Sequence, residues 1–522
     1  MIRLANVSYT YPGGATALRN LSLHISRGEQ VAVIGNNGSG KTTLALLLNG
    51  VLKADAGEIR VDGLNPSDEH DARTLKQKVG LVFQNPDNQL VSTTVEREVA
   101  FSLENMNVPH PQLAERVKTS IELFGLSEFC TRLTSEMSGG EKQRLALASV
   151  MAVNPDILIL DEPGSYLDES GKRLLAEAVS QLLKQVRDLT VIRITQYAEI
   201  AQKYDRVILL KDGKIVMDDS PVAVYANARL CADAGIEIPL KYRMLNGVDF
   251  PRQHHPHTRK ESKDVPPQNI MLESVHFSYG SGQAVFKGID VSVYNNRTYG
   301  VVGRSGGGKT TLIQLMAGLL EPSRGRVRYS GFRAKPGAIA VSFQQAERQF
   351  FLETVDREIR FGAENVKAPN IDKLVAECYS LVGLPRHLFK ARNPFTLSGG
   401  ESRRLAFGTI LPLHPCFILF DEPTCALDAG GIRQFKQLVG WLRDDGVGVV
   451  IVSHYGDIIF ELADEVIVIN EGVVETVCEK RAFFTSIDYS GYLSTPELVS
   501  FQQKKLGSIK YFSEAALEAN IN

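Results

Sequence analysis

The chain has 522 residues, a net charge of −2, 43% hydrophobic and 23% charged residues, which is an ordinary globular composition over about two to four domains, with no charge argument for nucleic acid as the main partner. Six cysteines with no C-x-x-C pair argue against a zinc site or a disulfide framework and fit a reducing compartment. The Met1–Asn6 start lacks the charged-then-apolar pattern of a signal, and no window approaches the ~18 to 20 apolar residues that span a bilayer, so the chain is expected in the cytosol or held on a membrane by partners.

The first copy of an internal repeat opens with β-rich segments, Ile2 to Ser8 and Leu21 to Ile25, with Tyr11 before a Pro-Gly-Gly turn between them. A tyrosine ring in that position is expected to stack on an adenine. An apolar strand, Gln30 to Ile34, then enters Gly35-Asn36-Asn37-Gly38-Ser39-Gly40-Lys41-Thr42-Thr43 and a helix-like run, Leu44 to Leu48. Strand, G-x-x-x-x-G-K-[ST] loop and helix in that order define a phosphate-binding loop. The glycines let backbone N–H groups curl around phosphate oxygens, Lys41 supplies a point charge, and the Thr42 hydroxyl is suited to ligate Mg²⁺. The buried-type strand from Val79 then ends in Gln84, an amide placed to reach the metal or an attacking water.

Ser138-Gly139-Gly140-Glu141 follows and opens a helix over Leu145 to Val150. A serine hydroxyl and exposed N–H groups at a helix start form an anion site. The apolar strand Ile157–Leu160 is capped by Asp161 and Glu162. Carboxylates at the C-terminal end of a parallel strand are the usual placement for metal binding and water activation. The last core strand, Val191 to Thr195, ends in Gln196.

The pattern then recurs. Lys41 and Lys309 are 309 − 41 = 268 positions apart, so the chain reads as two copies of one domain. Residues 1–245 form the first domain, 246–268 a linker rich in Pro and charge, and 269–522 the second domain with a C-terminal extension. The linker histidines His254, His255 and His257 are read as linker rather than metal site, since no cysteine or carboxylate set surrounds them. The second copy presents Tyr279, then Gly303-Arg304-Ser305-Gly306-Gly307-Gly308-Lys309-Thr310-Thr311, Gln344, Ser398-Gly399-Gly400-Glu401, Asp421-Glu422 and His454. Here the copies diverge. His454 can carry charge and contact both a γ-phosphate and Glu422, whereas Gln196 can only hydrogen-bond.

This series, in this order and twice over, resembles the ATP-binding-cassette (ABC) ATPases across nearly the whole chain. The resemblance implies an α/β fold of two tandem P-loop NTPase domains, each with a β-rich and parallel-sheet core and a helical signature subdomain. It implies ATP and Mg²⁺ as ligands, with Thr42, Gln84 and Asp161 in one copy and Thr310, Gln344 and Asp421 in the other around the metal. Glu162, Glu422, His454 and Gln196 take the catalytic positions. It further implies an internal pseudo-dimer in which each phosphate loop faces the other copy's Ser-Gly-Gly.

A narrower resemblance lies in Phe83-Gln84-Asn85-Pro86-Asp87-Asn88-Gln89-Leu90 and, in the second copy, Phe343 to Phe351. Both look like the glutamine-containing segment of energy-coupling-factor (ECF) transporters. That family implies a transmembrane T component and a solute-binding S component in trans. A peripheral position on the cytoplasmic membrane face follows, with no span of the chain's own and no nucleic acid partner. A fused ATPase of a monosaccharide importer has similar length, but the Pro-Asp-Asn-Gln-Leu segment speaks against it. A soluble double cassette acting on ribosomes or DNA is expected to carry a long charged arm or a cysteine-rich insert, and neither is present.

Overall fold

The computed structural model describes residues 1–164, 167, 169–186, 188–245, 267–280, 282, 284–304, 306–425, 427–506 and 508–511. Most of the expected linker, with its three histidines, lies outside the described residues, as does Ser305. The chain divides into two compact units, Met1–Val248 and Asp249–Asn522.

In the first unit the strands are β1 (Ile2–Thr10), β2 (Thr16–Ile25), β3 (Gln30–Ile34), β4 (Ala56–Val61), β5 (Val79–Val82), β6 (Ile157–Asp161), β7 (Thr190–Thr195), β8 (Arg206–Lys211) and β9 (Lys214–Asp219). An antiparallel sheet, β2-β1-β4, sits beside a six-stranded sheet ordered β5-β6-β7-β3-β8-β9. The larger sheet is parallel except for its last pair. Burial on both faces explains why its strands read as continuous apolar runs rather than alternating ones. Val31 and Val33 of β3 join the core under the small sheet and the helix Lys41–Leu48. Ala32 and Ile34, one residue out of phase, face a second core with Ala198, Tyr225 and Cys231. The other face of β6 packs on a helical layer that includes the helices Val95–Asn105, His110–Leu123 and Gly139–Met151.

The second unit repeats the plan with β10 (Asn269–Ser278), β11 (Ala284–Tyr294), β12 (Thr298–Gly303), β13 (Arg324–Ser330), β14 (Ile339–Ser342), β15 (Phe417–Asp421), β16 (Gly448–Val452), β17 (Glu465–Asn470) and β18 (Val473–Glu479). Its sheets are ordered β11-β10-β13 and β14-β15-β16-β12-β17-β18. The topology matters for function because four parallel strands end on one edge. The phosphate loop, the glutamine, the acidic pair and the switch residue follow those four strands in each unit. Residues far apart in sequence are thereby delivered to one crevice.

Candidate functional site

The phosphate loop is built around a left-handed glycine. Gly40 has φ 101° and caps the helix Lys41–Leu48, and Gly308 has φ 98° before the helix Lys309–Met316. A Cβ on Gly40 would lie 2.5 Å from the Ala17 carbonyl, and one on Gly308 2.9 Å from the Phe286 ring. Both conformation and space therefore demand glycine. The lysine is buried and drawn into the loop: Lys41 Nζ donates to the carbonyls of Gly35 (2.9 Å) and Asn36 (2.8 Å). Lys309 repeats this with Gly303 (2.8 Å) and Arg304 (2.9 Å).

Tyr11 and Tyr279 stand at matching positions on the rim. Each hydroxyl lies 3.1 Å from the second threonine of its loop, Thr43 or Thr311. Each ring meets a neighbour edge-on, Tyr9 at 5.0 Å and Phe277 at 4.9 Å, and remains exposed. The tyrosines thus tie the small sheet to the phosphate-loop helix.

Asp161 and Asp421 end β6 and β15 and are 4% and 3% exposed. Burial pushes the Asp161 carboxyl up to about 6, against the opposing pull of its hydrogen bond with Thr42. Asp421 is raised for the same reason, and Thr310 Oγ1 donates to its Oδ2 at 2.7 Å. A raised carboxyl means that its charged form is costly in this site until a cation arrives. A hydroxyl and a carboxylate facing each other are hard oxygen donors, and they fit Mg²⁺. Among the described residues no cluster of three or more His, Cys, Asp or Glu could hold a metal. Mg²⁺ takes one or two protein oxygens and completes its shell with phosphate and water.

Glu162 and Glu422 adopt left-handed backbone, φ 44° and 47°, a conformation that costs a non-glycine residue on the order of 1–3 kcal/mol. Each N–H extends the sheet ladder by one rung, to Ile194 O (3.1 Å) and Val452 O (3.0 Å). Around these carboxylates the two units differ. In the second, His454 Nε2 lies 3.3 Å from Glu422 Oε1 and the His454 N–H donates to Oε2 at 3.4 Å. In the first, Gln84 Nε2 donates to Glu162 Oε2 at 3.3 Å. Gln196 Oε1 is buried with no hydrogen-bond partner among the described residues. Gln344 is exposed, and its backbone carbonyl accepts from Arg403.

Ser138 and Ser398 cap their helices with a reciprocal box: Glu141 and Glu401 each donate N–H to the serine Oγ (3.4 Å) and accept the serine N–H (2.8 Å). Arg132 and Arg392 hold those glutamates at 3.6 and 3.4 Å. Gly139 and Gly399 stay exposed, with Gly140 and Gly400 half-buried, so the helix start offers N–H groups outward. One turn on, Gln143 Nε2 donates to Phe83 O (3.2 Å), and the corresponding Arg403 donates to Phe343 O (2.7 Å). The Ser-Gly-Gly helix is thereby tied to the segment that bears Gln84 or Gln344.

Reading the sequence by motif passed over Arg193. It is 8% exposed, on β7 opposite Leu160, with its Nε unpartnered among the described residues. Burial lowers its pKa, and Tyr204 and Glu162 oppose that. The second unit has Ile451 at that register, opposite Phe420, and instead buries Arg403 near Asp421 and Glu422. A charged residue inside an otherwise apolar parallel strand was the available signal.

The family profile described as ABC transporter matches residues 18–165 and 286–425. A protein of Methanosarcina mazei, provisionally named an ABC transporter ATP-binding protein, is 31% identical over 535 residues, covering 94% of this chain and 90% of its own. Among solved structures, cbiO1 of Clostridium perfringens, described as part of the ABC transporter complex cbiONQ, is 31% identical with a TM-score of 0.41, covering 47% of this chain and 98% of its own. The ATP-binding cassette MJ0796, as a dimer bound to ADP and Pi, is 28% identical with a TM-score of 0.39, covering 42% and 99%.

Proposed function

Since the chain belongs to the ABC transporter ATPase family and carries two of its cassettes, we propose that it hydrolyses ATP to energise an ECF-type importer whose membrane components are separate chains. The solute would be a vitamin, a vitamin precursor or a transition-metal ion, recognised by the S component. In this reading, Lys41, Thr42, Gln84, Asp161, Glu162 and Gln196 work with Ser398, Gly399 and Gly400. Lys309, Thr310, Gln344, Asp421, Glu422 and His454 work with Ser138, Gly139 and Gly140. The domain limits 1–245, 246–268 and 269–522 are part of the same proposal.

The chemistry follows from the side chains. The lysine exchanges loop carbonyls for phosphate oxygens. The outward N–H groups of the Ser-Gly-Gly helix start bear on the same phosphate charge. The glutamate, aimed by its left-handed backbone, orients and deprotonates water for in-line attack. Mg²⁺ held by threonine and aspartate would neutralise phosphate charge.

One observation carries the ECF assignment: a second glutamine lies five residues beyond Gln84 and beyond Gln344. Gln89 braces β5, with Oε1 accepting from Phe83 N (3.0 Å) and Nε2 donating to Leu81 O (3.3 Å). Gln349 lines a groove of about 630 Å³ with Phe351, Phe361, Glu358 and Leu413. Phe351 and Phe361 are exposed and meet edge-on at 4.8 Å. An apolar groove beside the glutamine suits a helix of a membrane-embedded partner. Among the described residues, no helix is long and apolar enough to cross a membrane, which supports partners in trans. The test is to purify the tagged chain from detergent-solubilised membranes and identify what accompanies it. A hydrophobic scaffold together with a small solute binder is expected. Ribosomal or DNA-repair proteins without an integral membrane partner would sink the reading.

A further inference from the structure

The segment after β18 closes back on the switch of its own unit. The helix Lys480–Ser486 buries Phe483 and Phe484, and Phe460 meets Phe484 at 5.0 Å. The chain then runs past the loop that follows β16. There the Ser494 N–H donates to His454 O at 3.0 Å, and Ser494 Oγ lies 3.4 Å from the same oxygen. The same Oγ accepts from Gly456 N at 2.8 Å. Glu497 N donates to Asp457 Oδ1 at 2.8 Å. His454 Nδ1 lies 3.4 Å from Tyr492 O. A carbonyl only accepts, so Nδ1 carries the proton in that contact and Nε2 is left facing Glu422.

Gly456 makes this course available. A Cβ there would fall 1.9 Å from Ser494 O, a backbone atom that could not yield without moving the whole segment. The first unit has Ala198 at the equivalent place, in Gln196-Tyr197-Ala198 against His454-Tyr455-Gly456. Ala198 is buried, and its carbonyl accepts from Tyr225 OH at 3.2 Å. The first unit thus carries a methyl group at the position where the second unit leaves space for Ser494 O, and its own following segment packs on Ala198.

We infer that residues 487–497 form a strap whose docking positions the His454 ring against Glu422, with Tyr492 and Ser494 as positioning residues, so that hydrolysis in the second cassette depends on the C-terminal segment being seated. This rests on the reading of that cassette as a hydrolytic site. Gly456→Ala tests it in the full-length chain, because it dislodges the strap without altering His454 or any strap side chain. ATP turnover is followed against ATP concentration, and the His454 ring is observed by ¹⁵N NMR of histidine-labelled protein, assigned with His454→Gln. The expected result is a kcat lower by about ten- to hundredfold, an unchanged KM, and shifted His454 ring resonances. Ser494→Ala should move the same resonances with a smaller fall, and Ser494→Thr should restore both. Unmoved ring resonances in Gly456→Ala overturn the strap, whatever happens to turnover. Full turnover in His454→Gln removes instead the hydrolytic reading on which the strap depends.

Discussion

The two switch loops show how much a duplicated site can diverge while its scaffold stays the same. β7 and β16 occupy the same place in their sheets and end at the same edge. Yet the second unit pairs its glutamate with an imidazole, and the first buries the Gln196 amide oxygen with no hydrogen-bond partner among the described residues. The buried cations differ too: the first unit buries Arg193 on a strand, and the second buries Arg403 on a helix. Position in the fold is therefore repeated, whereas the surroundings of the glutamate differ between the two units. The expectation from this contrast is a faster second site.

The largest effect should come from the glutamates. Glu422→Gln is expected to lower ATP turnover on the order of 10²–10⁴-fold, the worth of a general base, with Glu162→Gln costing less. Equal losses in a steady-state ATPase assay would break the comparison. Gln196→His should then raise turnover in a Glu422→Gln background. No gain there would show that the imidazole needs the rest of its setting, which the first unit lacks.

The phosphate loops should behave alike. Gly40→Ala and Gly308→Ala each force a side chain into left-handed backbone with a blocked Cβ, and each should destabilise its own unit by about 1–3 kcal/mol. Thermal unfolding of the full chain would show a lowered transition in both variants, and a loss in one alone would mean that the loops are not equivalent.

The smallest difference concerns Arg403→Gln, which installs the first unit's residue. Two charge-assisted bonds to the Phe343 and Gln344 carbonyls are lost, for an expected cost of about 1–2 kcal/mol. A rise in the unfolding midpoint would mean that desolvating the guanidinium outweighs its bonds.

Much of this was legible in the sequence because strongly periodic or motif-bearing stretches dictate local structure. The runs ending at Ile34, Leu160, Ile194 and Val452 are buried parallel strands, and the phosphate loops and Ser-Gly-Gly helix starts sit where their residues imply. What stayed hidden depends on tertiary contacts. The left-handed φ of Glu162 and Glu422 has no composition signature, since glutamate rarely adopts it. The aromatics of the C-terminal segment carry no motif that would place them. Phe483, Phe484 and Tyr489 pack on one another within the second unit, a tertiary contact that sequence alone does not show. The contrast between Ala198 and Gly456 passes as an ordinary small-residue exchange until the carbonyl beside it is seen.

The tied tyrosines bear on which fuel the protein accepts. With the Tyr11 hydroxyl engaged by Thr43, and that of Tyr279 by Thr311 and Gln314, only a ring face is left to meet a nucleobase. A face senses shape and polarisability, which adenine and guanine share, and not the amino and keto groups on their edges. A base stacked on either ring would then find no hydroxyl there to tell ATP from GTP.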